Sequence, residues 1–91
     1  MSDTQYAVFL YPQAVEALGE PIKPFLLDGS GGPHIVCAEI DTSGPLFVMT
    51  LAGKDARGAP SELEIMVPHA MIRLVISVHS DQGIGFAPYA N

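Results

Sequence analysis

A chain of 91 residues is enough for one domain, and with a formal net charge of −6 and only four basic residues it is poorly suited to phosphate-rich partners such as nucleic acids or anionic membranes. Hydrophobic residues make up 48% of the chain and charged residues 15%, against about 25% charged in ordinary globular domains, so few charges are left to cover the outside. The single cysteine, Cys37, excludes an intrachain disulfide, and no set of Cys and His has structural-zinc spacing.

Residues 6–11, Tyr-Ala-Val-Phe-Leu-Tyr, predict a strand that stops at Pro12. Pro12–Leu18 predicts a short helix, with proline at its first position, Gly19 just past its end, and Val15 and Leu18 toward the core. Glu20-Pro21 and Lys23-Pro24 rule out a long helix beyond it, because proline lacks the donor and clashes with the preceding turn. Phe25, Leu26 and Leu27 read as a strand stub, and Asp-Gly-Ser-Gly-Gly-Pro at 28–33 as the most flexible internal loop. Residues 34–41 predict one strand, with Val36, Ala38 and Ile40 on one face and Ile35, Cys37 and Glu39 on the other.

Thr-Ser-Gly-Pro at 42–45 turns the chain into an almost continuous apolar strand over 46–51, and 53–60 reads as a second loop carrying Lys54 and Arg57. In residues 62–67, Leu63, Ile65 and Val67 point one way while Glu62, Glu64 and Met66 point the other. A tight turn or one turn of 3₁₀ helix at 68–71 leads to a strand over 72–78, read with Leu74, Ile76 and Val78 inward. Residues 83–89 suggest a further edge strand, with frayed ends near 1–4 and 88–91. The sum is one mainly-β domain over 1–91, a small five- to six-stranded barrel or sandwich with one short helix near its N-terminus.

Val67-Pro-His-Ala70, followed by Met-Ile-Arg-Leu-Val-Ile-Ser-Val, resembles the turn and final strand of the Sm-like fold, and within it the bacterial Sm-like RNA chaperones. The resemblance covers roughly residues 34–78. It implies a strongly bent, ring-forming barrel, and His69 as a position that would contact RNA. The lysine of the family turn is Pro68 here, the family's glycine in the second strand has no match in 35–41, and the acidic composition opposes RNA binding. An SH3-type barrel accommodates the same strands.

His34, His69 and His79 are the residues most suited to acid–base or metal chemistry. Neither spacing nor strand parity puts two of them beside a carboxylate, so the ordinary reading is a half-exposed histidine bonded to backbone. His69 is the exception, since a turn at a barrel rim can present its ring to a ligand or partner, with Arg73 and Met66 as companions. Cys37 sits mid-strand among apolar residues and reads as packing. Gly-Ser-Gly-Gly at 29–32 lacks the lysine and the following helix of a phosphate loop. Ser61-Glu-Leu-Glu64 has capping-box spacing, but the alternation after it rejects a helix start, leaving Glu62 and Glu64 as solubilising carboxylates.

A domain of this size buries only roughly 60–65% of the surface its unfolded chain exposes. With so few charges, self-association is the remaining way to cover hydrocarbon, and the second apolar face of 46–51, formed by Phe47, Met49 and Leu51, is the expected interface. The functional expectation is a non-enzymatic, self-associating interaction module, homo-oligomeric or bound to a protein partner, with no cofactor and no metal. The alternatives are a ligand-binding protein or minor enzyme using His69 at a barrel rim, and Sm-like RNA binding, which the charge disfavours. A lone cysteine and a start without a basic leader suggest the cytoplasm.

Overall fold

The computed structural model describes residues 4–79. The edge strand expected at 83–89 and the frayed ends, apart from Thr4, lie outside them. Six strands form two antiparallel sheets of three: β1 (Thr4–Leu10), β2 (His34–Cys37) and β6 (Ile72–His79) in the order β2-β1-β6, and β3 (Glu39–Asp41), β4 (Leu46–Lys54) and β5 (Pro60–Pro68) in the order β3-β4-β5. The mainly-β reading holds at that level. Between β1 and β2 lie helix α1 (Pro12–Leu18) and a 3₁₀ helix, Glu20–Phe25, so the helix follows the first strand.

Local chemistry explains the start of this order. Pro12 opens α1 at a position whose N–H would be unbonded anyway, and Gly19, at φ +79°, ends it while its N–H donates to the Val15 carbonyl at 3.1 Å. Ala14 is the buried residue of α1; Val15 and Leu18 pack half-buried against the same core. Pro21 and Pro24 sit inside the 3₁₀ helix, whose Ile22 is buried. The strand stub expected at 25–27 shrinks to Leu27, which exchanges backbone hydrogen bonds with His34 at 2.8 and 3.0 Å, because Phe25 still belongs to the 3₁₀ helix.

The 34–41 run is two strands, not one. Ile35 and Cys37 are buried as β2 pairs with β1; past Ala38 the chain joins the other sheet, Ile40 becomes half-buried and Glu39 exposed. Alternation from 34 to 37 therefore fails to carry across Ala38, whose N–H instead donates to the Thr50 carbonyl at 2.8 Å. The second loop is shorter than expected, because β4 and β5 stay paired out to Lys54 and Pro60. What remains, 55–59, is held by the Asp55 carboxylate, which accepts the Arg57 and Ala59 N–H groups at 2.8 and 3.0 Å.

The two sheets share one core: Val8, Leu10, Ala14, Ile22, Ile35, Cys37, Phe47, Met49 and Val67. Phe47 and Met49 lie inside the chain itself, with Leu51 half-buried beside them. The interface expected on these three residues is thus corrected: on β4 the second face is Leu46, Val48, Thr50 and Ala52, and the odd-numbered apolar residues face inward opposite Val67, Ile65 and Leu63. Strand β6 also runs opposite to expectation. Phe9 faces Leu74 while Leu10 faces Ile72, so Arg73 is an extra residue, a bulge that resets the alternation. Ile72 and Val75 pack on the core, and Leu74, Ile76 and Val78 fall on the outer side, across from Phe9, Ala7 and Gln5.

Candidate functional site

The residues expected to share a rim are not brought together. His69 lies in the 3₁₀ turn His69–Met71 between β5 and β6, Met66 on the outer face of the β3-β4-β5 sheet, and Arg73 on the other sheet at the β6 bulge. The His69 Nε2–H donates to the Gly44 carbonyl at 2.9 Å, and its ring meets that of Phe47 edge-on with centroids 6.0 Å apart. It clasps the 42–45 turn over the core. His34 Nδ1–H donates to the Gly32 carbonyl and His79 Nδ1 is bonded to Thr4 Oγ1, each at 3.0 Å. Each imidazole thus has a backbone or hydroxyl partner, and no group of three or more His, Cys, Asp or Glu among the described residues is placed to hold a metal. A shallow depression of about 440 Å³ beside the turn is lined by Tyr11, Gln13, Ala14, Ala17, Pro68, Ala70 and Met71 and contains no carboxylate.

The glycine-rich loop is strapped down. The Arg73 Nη2 donates to the Gly31 carbonyl while its guanidinium lies 5.6 Å from the centroid of the Phe9 ring, and His34 stacks on that ring at 4.8 Å. A Cβ at position 31 would come within 2.8 Å of the Phe9 ring, so only glycine fits unless the ring moves. Arg73, Phe9 and His34 form one assembly that closes an end of the β2-β1-β6 sheet.

Cys37 is free and buried, and burial pushes its thiol up to about 11 from an ordinary 9.0. The thiolate is the reactive form, so the group is inert at neutral pH. A neutral thiol favoured by folding contributes its stability below the ordinary value. As pH rises from about 9 toward 11 the unfolded chain releases the proton and the folded one keeps it, so stability falls. Labelling with an aromatic disulfide reagent at pH 8 is expected to be at least about a hundredfold slower in the native protein than in urea; equal rates would show that the core does not shield the sulfur. At the 42–45 turn the Ser43 hydroxyl and N–H donate to the Asp41 carboxylate at 2.7 and 2.9 Å and hold its pKa below the usual carboxylate range.

The two outer faces differ in kind. Register places Glu39 and Glu64 on either side of Thr50, Asp41 and Met66 on either side of Val48, and Glu62 beside Ala52, so the outer face of β3-β4-β5 carries four carboxylates. Strands β1, β2 and β6 contain no aspartate or glutamate. Their outer face has one row of Val36, Ala7 and Ile76 and another of His34, Phe9 and Leu74. Leu74 is 43% exposed, Ile76 38% and Val36 36%.

That hydrocarbon surface is the feature sequence reasoning missed. Its signal was present in β6, where apolar residues occupy both parities, but the bulge at Arg73 hid which parity faces out. No helix among the described residues is long and apolar enough to cross a membrane. Comparison with protein-family models, with curated proteins and with solved structures gave no match.

Proposed function

We propose that the protein is a self-associating interaction module that acts by binding rather than by chemistry. The observation that carries this reading is the apolar sheet face on which Val36 and Ile76 stand exposed on either side of half-buried Ala7, with exposed Leu74 next along β6, on a molecule whose other sheet is turned outward with carboxylates. Contiguous hydrocarbon of this kind on a small acidic domain marks an interaction surface. The finer architecture that goes with it is a small open barrel of SH3 or Sm-like type. Two features support it: the 34–41 run passes from one sheet to the other at Ala38, and the chain returns through the 3₁₀ turn at 69–71 so that β6 pairs with β1.

The test is the mass of the full chain by light scattering and sedimentation, from low micromolar to millimolar concentration. A mass that rises with concentration is the expected result, and a monomer throughout the range overturns the reading.

A further inference from the structure

We propose that two copies of this chain associate face to face through the β2-β1-β6 sheet about a two-fold axis, the Ile76 ridge of each copy seated over Ala7 of the other. The inference rests on the self-association reading above and adds its surface and its symmetry. Three observations lead to it.

The first is charge. At a net charge of −6 a second copy meets repulsion wherever carboxylates face it. Glu39, Asp41, Glu62 and Glu64 occupy the outer face of one sheet, while the strands of the other carry no carboxylate and only Arg73 as a fixed cation. The β2-β1-β6 face is the sheet face that two acidic molecules can share without stacking like charges.

The second is shape. On the central strand Ala7 presents only a methyl group, and its neighbours in register are Val36 on one side and Ile76 on the other. Ile76 on β6 stands up beside the dip left by Ala7, while Leu74 lies next to the Phe9 ring, which Arg73 and Gly31 cover. A surface with a ridge beside a dip is self-complementary under a two-fold rotation, which brings each ridge to the opposite dip.

The third is size. Three strands about 4.8 Å apart and about six residues long at ~3.4 Å per residue give a face of roughly 300 Å². Stable interfaces bury about 800 Å² per partner. The pairing is therefore weak and concentration-dependent, in the micromolar range or above. Edge-to-edge pairing along β6 is the competing geometry, since β6 has a sheet partner on one side only among the described residues. It would leave Leu74, Ile76 and Val36 in water.

The experiment measures self-association of the full chain and three variants by sedimentation velocity, with circular dichroism and a thermal melt confirming that each is folded. Ile76→Glu puts a carboxylate on the ridge, and association is expected to weaken at least about tenfold. Ala7→Phe fills the dip from an outward position on the central strand and is expected to weaken it similarly, whereas edge pairing along β6 would be untouched. Thr50→Phe, at the centre of the acidic face, leaves association at the wild-type level. Should Ile76→Glu fail to fold, Ala7→Phe against Thr50→Phe still decides. Wild-type association in Ala7→Phe overturns this interface while leaving the self-association reading standing. A wild-type protein that stays monomeric removes both.

Discussion

Met49→Ala is expected to lose about 2–5 kcal/mol of folding stability, the range for removing a fully buried long side chain without complete collapse of the cavity. Met49 has no exposed surface and sits in the core shared by both sheets, opposite Ile65 and beside Ile40 in register. At roughly 0.05–0.15 kcal/mol per residue, 91 residues give a total of about 5–14 kcal/mol, so the variant sits near the edge of folding. Met66→Ala supplies the contrast. The same side chain, on the neighbouring strand and 54% exposed, should cost within about 0.5 kcal/mol. Urea unfolding of the two variants checks the assignment of inner and outer faces on β4 and β5; equal losses would mean the register is wrong.

The other large effect belongs to Ala38. This residue stands where the chain leaves one sheet for the other, and its N–H is bonded to the Thr50 carbonyl at 2.8 Å. Ala38→Pro removes the donor and leaves the carbonyl of half-buried Thr50 without that partner. The expected loss is about 2–4 kcal/mol, which for a domain of this size lowers Tm by roughly 10–30 °C. Ala38→Gly keeps the N–H and should cost about 1 kcal/mol or less. Calorimetry on both separates the hydrogen bond from the side chain. A proline variant that melts like the glycine one would show that the handover between sheets does not depend on this bond.

How much was legible in the sequence depended on whether the signal was local. Pro12 and Gly19 delimit α1 by their own backbone restrictions, and the helix occupies Pro12–Leu18 as expected. On β5 the alternation of Glu62, Leu63, Glu64 and Ile65 declares its faces, and the register confirms them. Strand β6 offers no such contrast. Ile72, Leu74, Val75, Ile76 and Val78 are apolar on both parities, and a single extra residue at Arg73 decides which ones face outward. On β4 the sequence supplies hydrocarbon at every position from 46 to 49, so an inner face and an interface face were indistinguishable until pairing with β5 fixed them.

The candidate surface was hidden for the same reason, since it is assembled from three strands far apart in sequence. The rim expected around His69 failed differently. Its ring serves a carbonyl 25 positions away, at Gly44, a partnership that no local pattern encodes. The turn itself was legible: His69–Met71 is the one turn of 3₁₀ helix expected between the two strands.

Thr4 and His79 are hydrogen-bonded across a separation of 75 positions, and the strands that begin and end with them lie side by side. During vectorial synthesis, β1 therefore leaves the ribosome with one of its two neighbours still unmade, whereas β3, β4 and β5 follow one another and can zip locally. Half of the globule can form early, but the central strand of the other half waits for the last described residues. Folding dominated by such remote pairing belongs to the slow, millisecond-to-second regime, and until β6 is made β1 keeps one edge unpaired and open to chaperones.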